Sequence, residues 1–214
     1  MVKVKWFGHS FWEISTEDMC LVTDPFSDIG YSMPEDLKAD VVLSSHDHFD
    51  HNNISLIQGN YELLRSEGSY NLKGVAFELI PVWHDENQGK NRGKNLLLKF
   101  ALEGKTFLHC GDLGHLLSKK LIRQLGKIDI LLIPVGGVFT IDAELAKTLC
   151  TQLNPQIIFP MHYKTPVLKF ELAPLSDFTK YYQSVINYDK SEVALTEDLF
   201  RGDEPAVIIL NYAL

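Results

Sequence analysis

The run Ser44–His51 constrains this chain more than any other stretch, because it places three histidines and two aspartates within eight residues. It follows the short apolar segment Val41-Val42-Leu43, which predicts a buried strand. The polar pair Asn52-Asn53 and the apolar residues after it predict a capped helix that continues to about Glu67. The run therefore lies between a strand and a helix, which is where ligands bind in open α/β sheets.

The spacing inside this run suits a metal site. His46 and His48 are two residues apart on a nearly extended chain, so both rings can lie on one side of it. Asp50 and His51 follow where the chain turns, and imidazole and carboxylate are ordinary ligands of zinc and other divalent metals. Four such groups are too many for one closed site if further ligands arrive, so the run predicts two adjacent metals. The alternative is a solvated loop in which these side chains act as caps.

Further candidate ligands follow predicted strands elsewhere in the chain. His84, Asp112 and His162 each come after an apolar segment, and Gly111 lets the backbone turn sharply before Asp112. For Asp112 the alternative is an N-cap of the next helix. Because strand ends of one sandwich lie close together, we expect all of these residues at one edge of the fold.

Apolar periodicity gives the remaining elements. It predicts strands at 2–7, 11–14, 20–23, 41–43, 75–82, 95–102, 105–110, 128–134, 156–160, 192–195 and 206–210. It predicts further helices near 118–125, 142–153 and 175–188, and the polar segment 86–94 with its two glycines predicts a mobile loop. The 214 residues predict a single domain, 1–214, with two similar halves that meet near residue 105.

The net charge and the cysteine content limit the binding partners and the cellular compartment that we expect for this chain. The net charge of −8 argues against nonspecific binding to nucleic acid or anionic membranes, although a metal centre can still attract an anionic substrate. Cys20, Cys110 and Cys150 lie far apart and predict free thiols. No stretch reads as a signal peptide or a bilayer span, so we expect a cytoplasmic protein with a small-molecule substrate.

The motif HxHxDH at His46–His51, followed in order by His84, Gly111-Asp112 and His162, resembles the metallo-β-lactamase superfamily over nearly the whole chain. The resemblance implies an α/β (α+β) fold, a four-layer αβ/βα sandwich with helices outside two facing sheets and metals at one edge. It does not imply β-lactamase activity.

Further segments are similar to one branch of that superfamily. The sequences Gly8-His9-Ser10, Thr23-Asp24-Pro25, Pro134–Thr140 and Pro160–Tyr163 look like the small metal-dependent hydrolases related to L-ascorbate 6-phosphate lactonase.

The resemblance also implies a ligand set. One metal would be held by His46, His48 and His84. The other would be held by Asp50, His51 and His162, with Asp112 bridging both. The two divalent ions would be zinc, or manganese or iron. Relatives that use two irons for redox chemistry commonly carry glutamate where this chain has His48, so the resemblance favours hydrolysis.

The implied activity is a binuclear metal-dependent hydrolase, whose bridging hydroxide attacks a small ester, lactone or phosphodiester. Asp50 is the predicted proton carrier, His9 or Lys164 would position the substrate or stabilise charge, and Asp24 would orient ligand imidazoles. His109 is expected to be packed or to support a ligand, whereas His115 is either close to the ligands or exposed.

Two other functions stay open at this point. One is an iron-dependent oxidoreductase on the same ligands. The other is a non-catalytic zinc domain, although structural zinc usually takes cysteine ligands and the cysteines here are poorly placed.

Overall fold

The computed structural model describes residues 1–213, whose strands form two β-sheets. In chain order the strands are β1 (Lys3–Gly8), β2 (Phe11–Ser15), β3 (Cys20–Thr23), β4 (Val41–Leu43), β5 (Glu62–Leu64), β6 (Gly68–Leu72), β7 (Val75–Trp83), β8 (Lys94–Leu102), β9 (Lys105–His109), β10 (Ile130–Pro134), β11 (Ile157–Met161), β12 (Val185–Asn187), β13 (Glu192–Ala194) and β14 (Ala206–Ile209). The helices are α1 (Lys119–Leu125), α2 (Ala143–Leu153) and α3 (Ser176–Thr179), with 3-10 helices at Ile54–Leu56 and Glu197–Phe200. None of the helices within residues 1–213 combines the length and hydrophobicity needed to cross a bilayer.

Both sheets mix parallel and antiparallel pairs. The first has six strands in the order β13-β1-β2-β3-β4-β5, and the second has eight in the order β12-β14-β11-β10-β9-β8-β7-β6. Strands β9, β10, β11 and β14 run parallel in the centre of the second sheet. Every residue of β10 and β11 is buried, as parallel strands covered on both faces require.

The two sheets face each other across the main core. The indole ring of Trp12 on β2 lies 5.4 Å from the ring of Phe159 on β11, measured between centroids. The Trp12 Nε1–H points at the sulfur of Met161, which is also on β11, at 3.4 Å. Helix α2 packs against β10 through a buried apolar face. The predicted α/β fold class, with two facing sheets, is confirmed.

The outer face of the first sheet has a different cover. Phe7, Phe11, Val22 and Val42 point away from the main core and form a second apolar cluster. Their partners, which include Phe26, Ile29, Tyr31, Leu37, Leu168 and Leu172, come mostly from irregular segments. Residues 1–118 contain no α-helix. Loops therefore form the layer over this sheet, where the resemblance implies helices.

Two predicted helices are wrong. The segment after Asn53 forms a single 3-10 turn and then β5, because Ile57 packs in the second apolar cluster whereas Leu64 packs in the main core. These side chains lie on opposite faces of the first sheet, so one helix face cannot bury both. The predicted helix at 175–188 shrinks to the four residues of α3, and Val185 and Ile186 pair with β14 instead.

The chain passes from the first sheet to the second between Leu64 and Gly68. Residue 105, the expected meeting point of two halves, lies in the tight hairpin between β8 and β9 inside the second sheet. That the chain is one domain of two similar halves stays a prediction.

Leu149 and Leu145 on α2 test the packing of this helix. Leu149 is fully buried, so Leu149→Ala should lower the free energy of unfolding by about 2–5 kcal/mol. Leu145 lies on the same helix but is 36% exposed, so Leu145→Ala should cost less than about 1 kcal/mol. Urea unfolding followed by circular dichroism measures both, and equal losses would contradict this packing.

Candidate metal centre

The structure brings all seven predicted metal ligands to one edge of the sandwich. The donors form three overlapping groups, in each of which one ligand atom per residue lies within 4.8 Å of the others. The groups are His46, His48 and His84; His46, His51 and Asp112; and His9, Asp50, His51 and His162. The first group coincides with one ligand set implied by the resemblance. The third contains the other set and adds His9.

His46, His48 and His84 face one another without an intervening side chain. The ring centroids of His46 and His48 are 4.5 Å apart, and that of His84 lies 4.8 Å from His46 and 5.1 Å from His48. Tetrahedral zinc with bonds of about 2.1 Å separates its ligand atoms by roughly 3.4 Å. The three imidazoles are therefore spaced to close on one ion with small rotations of the rings.

Asp112 lies between the two ligand sets. Its Oδ2 is 3.3 Å from His84 Nε2 and 3.2 Å from His162 Nε2, and its Oδ1 is 3.3 Å from His51 Nε2. The Asp112 backbone N–H donates to Asn95 Oδ1 at 3.0 Å, which fixes the turn after β9. The N-cap of the next helix, which was the alternative role for Asp112, is Ser118.

Unpartnered polar atoms support a metal at this edge. Within residues 1–213, several buried side-chain atoms of the cluster make no hydrogen bond, including His46 Nε2, His51 Nε2, His84 Nδ1, His162 Nδ1 and Asp112 Oδ1. A buried polar atom normally has a partner, and three of these atoms without one, His46 Nε2, His51 Nε2 and Asp112 Oδ1, belong to residues of one donor group. Imidazole nitrogens and carboxylate oxygens together fit divalent transition metals.

Burial sets the protonation of most of these groups. Burial lowers the pKa of His46 to about 3 and that of His9 to about 4, and it also lowers the pKa of the more exposed His48. Burial alone would raise the pKa of Asp112, but the facing imidazoles of His162 and His51 hold that pKa well below its ordinary value. His9, His46 and His48 are thus neutral imidazoles and Asp112 is an ionised carboxylate, the forms that bind metal.

Asp24 supports the ligands from behind. Its Oδ2 lies 2.9 Å from His51 Nδ1 and accepts the Ser45 hydroxyl at 2.6 Å, while Oδ1 accepts the Ser45 backbone N–H at 2.7 Å. The Ser45 hydroxyl also lies 2.9 Å from His46 Nδ1. One buried carboxylate therefore orients an imidazole from each ligand set, which is the contact expected for Asp24.

His51 carries the opposite pKa shift. Burial would lower the pKa of His51, but the carboxylates of Asp112 and Asp24 raise that pKa well above its ordinary value. The metal-free protein therefore keeps a proton on this ring, and a bound ion would displace it.

Three of the nine non-glycine residues with left-handed backbone in the described part of the chain lie at this edge. His9, Asp24 and His162 adopt left-handed conformations, with φ values of 51°, 46° and 53°. Gly136 lies so close to the carbonyl of His162 that an added Cβ would stand 2.2 Å from that oxygen. The Gly-rich segment after β10 therefore lets the His162 turn approach closely.

Lys164 is placed differently from its prediction. Its ammonium donates to the carbonyls of Leu168 and Phe170 and to the Glu171 carboxylate, at 3.1, 2.7 and 2.9 Å. These bonds use its three donors, and Lys164 does not line the cavity beside the metal cluster. The structure thus corrects the expectation that Lys164 faces the substrate, and it makes Lys164 a support for the segment that carries Phe170.

The other two histidines have structural contacts. His109 is fully buried, with its Nε2 3.0 Å from the carbonyl of Ser10, as expected for a packed residue. His115 accepts the backbone N–H of Trp83 at 3.2 Å and belongs to none of the donor groups.

A cavity of about 320 Å³ opens beside the cluster. Its polar lining consists of His48, Asp50, His84, Asp112 and His162. Four other residues, which the sequence interpretation missed, complete it: Phe49, Arg92, Phe139 and Phe170. Phe49 lies inside the HxHxDH motif, and Arg92 and Phe139 lie in the loops after β7 and β10, so proximity to the strand ends was the available signal.

The loop after His84 is anchored. The buried carboxylate of Asp85 accepts four backbone N–H groups of this loop, those of Asn87, Gly89, Asn91 and Arg92. This arrangement corrects the prediction of a mobile loop at 86–94.

Comparisons with known proteins agree with this geometry. A sequence model described as a Beta-lactamase superfamily domain matches residues 3–162. A UPF0173 metal-dependent hydrolase of Pyrococcus abyssi is 32% identical, over 91% of this chain and 96% of its own. The one from Carboxydothermus hydrogenoformans is 28% identical, over 82% of this chain and 91% of its own.

A solved structure is also similar. A crystal structure from Thermotoga maritima, described as a Zn-dependent hydrolase of the metallo-β-lactamase superfamily, is 37% identical with a TM-score of 0.82. The similarity covers 98% of each chain.

A sandwich of two facing sheets with histidine and aspartate donors converging at one edge defines a class of metal-dependent hydrolases. The chain belongs to the metallo-β-lactamase superfamily, since the family model matches well over half of its length. It is a metal-dependent hydrolase of that superfamily. The relation to ascorbate-phosphate lactonases stays a prediction.

Asp24→Asn tests the support behind the ligands. The change removes the charge that orients His51 and Ser45, so the affinity for zinc should fall by roughly 10–100-fold. Competition with a chromophoric chelator measures this affinity. Asp28→Asn is the matched control, because Asp28 is exposed and pairs only with Lys169. Equal affinity in the Asp24 and Asp28 variants would contradict the supporting role.

The pH dependence of metal-free stability tests the buried imidazoles. An unfolded histidine titrates near pH 6.5, whereas the pKa values of folded His9 and His46 are lowered to about 4 and about 3. Between pH 6.5 and 4 the unfolded state therefore binds more protons, so acidification should lower stability by roughly 1.4 kcal/mol per pH unit for each excess proton.

His51 does not change this sign. Its pKa is raised, so its stabilising contribution is complete below pH 6.5 and is lost only as the pH rises. Urea unfolding of chelator-treated protein at pH 6.5, 5.5 and 4.5 measures the slope. A constant free energy of unfolding over this range would contradict the burial of neutral imidazoles.

Proposed function

We propose that this metal-dependent hydrolase is binuclear, and that it hydrolyses a small ester, lactone or phosphodiester with a hydroxide shared by its two ions. The observation that carries the proposal is the position of Asp112. Its two carboxylate oxygens lie within 3.2–3.3 Å of imidazoles from both ligand sets, so one side chain can join two ions. A single closed site would leave several of the converging donors without a partner.

Each side chain then has a defined task. His46, His48 and His84 would hold one ion, and Asp50, His51 and His162 the other, with Asp112 between them. When bound, two divalent ions supply a hydroxide nucleophile at neutral pH and polarise the bond under attack. The low pKa of Asp112 keeps its carboxylate ionised over the working pH range.

We infer that Asp50 carries the proton. It lines the cavity, and its Oδ2 lies 3.3 Å from His9 Nε2 and 3.8 Å from His51 Nε2. Burial raises the pKa of Asp50, but His9 and His51 outweigh it and hold that pKa below its ordinary value. In this proposal Asp50 would take up the proton of the nucleophile and pass it to the departing group of the substrate. His9, whose Nε2 lies 3.3 Å from this carboxylate, would orient it.

The size of the cavity favours a small substrate. A space of about 320 Å³ is at the lower end of ordinary ligand sites, which favours a small substrate. The net charge of −8 also disfavours a polymeric nucleic acid. Esters, lactones and phosphodiesters of modest size fit both constraints and share the same attack on a polarised centre.

Metal content is the first test. Protein purified without chelator should contain about two zinc or manganese ions per chain, and His46→Ala and Asp112→Asn should lower that number. The same variants should lose more than about 100-fold in kcat/KM on p-nitrophenyl acetate, dihydrocoumarin or bis(p-nitrophenyl) phosphate, because a lost ligand should cost more than a lost supporting contact.

His115→Gln serves as the control, because His115 lies outside the donor groups. One ion per chain would reject the binuclear centre. Two irons with oxygen consumption and no hydrolysis would replace the hydrolase mechanism by the oxidoreductase alternative on the same ligands.

A further inference from the structure

The cavity beside the metal cluster has two chemically different parts. The metal donors form its floor, and the rings of Phe49, Phe139 and Phe170 form its rim. Arg92 completes the rim and is the one arginine or lysine among the described residues that line this cavity. A floor of metal donors would contact the scissile bond of a substrate, whereas the rim would contact the rest of the substrate.

Two of the three rim phenyl rings are exposed, and the third, that of Phe170, is half-buried. Phe49 is 57% exposed and Phe139 is 39% exposed, and the ring of Phe170 meets that of Phe49 edge-on at 6.0 Å between centroids. A group of aromatic rings in water around a polar cavity is a recognition surface for an apolar group. The rings therefore predict a substrate with an apolar part next to the scissile bond.

Arg92 is held over this rim with spare donors. Its guanidinium carbon lies 5.4 Å from the centre of the Phe139 ring, and Nη2 donates to the carbonyl of Val138 at 3.0 Å. That is the only hydrogen bond of its side chain to residues 1–213, although a guanidinium has five donors. No carboxylate of the described chain lies within ion-pair distance of Arg92, in a protein of net charge −8.

The backbone under Arg92 is fixed in advance. The Arg92 N–H donates to Asp85 Oδ2 at 2.7 Å, and three other N–H groups of the loop converge on the same carboxylate. Asp85 adjoins the candidate ligand His84, so the loop is tied directly to the metal edge. A cation held in this way binds a ligand without first ordering its own backbone.

Arg92 also has a plain structural interpretation. Its bond to Val138 joins the loop after β7 to the loop after β10, and such a latch needs only one donor and no charge. A latch would shape the cavity equally for neutral and for anionic molecules. An anion-binding residue would instead discriminate between them, so the two roles predict different measurements.

We propose that Arg92 binds an anionic group of the substrate while the three rim phenyl rings hold its apolar part. The substrate class is then a small amphipathic ester, lactone or phosphodiester that carries a carboxylate, sulfonate or phosphate away from the scissile bond. The reaction named here rests on the proposed function, whereas the binding preference of the rim does not. Bidentate hydrogen bonds from a guanidinium to such an anion suit the free donors.

A pair of fluorescent probes tests this binding on metal-loaded protein. 1-Anilinonaphthalene-8-sulfonate and N-phenyl-1-naphthylamine share one aromatic skeleton, and only the first carries an anion. Arg92→Met removes the charge but keeps an apolar chain over Phe139. It should weaken sulfonate binding by roughly tenfold or more and change the neutral probe less than about twofold. Arg92→Lys should lose less than Arg92→Met, and Phe139→Ala should weaken both probes.

Arg123→Met is the matched control, since Arg123 is exposed on α1, and it should change neither probe. Equal loss of both probes in Arg92→Met would establish the latch and overturn the proposal. Sulfonate binding that is absent in the wild type, or unchanged in Arg92→Met, would also overturn it.

Metal content and ester hydrolysis, measured on the same preparations, separate the two proposals. A charge-selective effect of Arg92 without two bound ions or hydrolysis would reject only the proposed function. Two ions and hydrolysis without charge selectivity would reject only the role of Arg92.

Discussion

The carboxylate of Asp112 is buried among the imidazoles of His51, His84 and His162, at 3.2–3.3 Å from each. A buried charge is costly unless it is paired, and these rings are the partners that the fold supplies. They come from three separate segments of the chain, so the pairing requires both sheets to end at the same edge. The contact between Asp112 and these three imidazoles depends on the strand order, on the turn at Gly111 and on the orientation of the rings.

The sandwich makes that edge rigid. Trp12, Phe159 and Met161 lock the two sheets face to face, and the buried carboxylate of Asp24 then fixes the rings of His46 and His51 from behind. Left-handed backbone at His9, Asp24 and His162 costs free energy, and close packing on all sides is what maintains it. The left-handed residues thus lower the stability of the metal-free fold, while the packing around them keeps the donor side chains in position.

The rim of the cavity is built from loops, whereas its floor is built from residues at strand ends. The floor residues sit at strand ends, where register determines the position of each side chain. The rim is made of loops, and four hydrogen bonds to Asp85 and three donated by Lys164 connect these loops internally. In superfamily members that share the floor, loop side chains such as Arg92 and Phe139 are where differences in substrate would arise.

The sequence by itself determined most strands, the helix capped by Asp142, the superfamily and the seven residues that meet at the edge. The strands and the HxHxDH spacing are local signals. The superfamily and the inclusion of His84, Asp112 and His162 followed from the positions of these residues after predicted strands and from the resemblance. The tertiary structure decided the rest. Ile57 and Leu64 pack on opposite faces of one sheet and replace a helix by a turn and a strand, and Lys164 turns to nearby carbonyls instead of the cavity. Proximity to a strand end did not single out Arg92, because its contacts with Phe139 and Val138 join residues that are distant in the chain and meet only after folding.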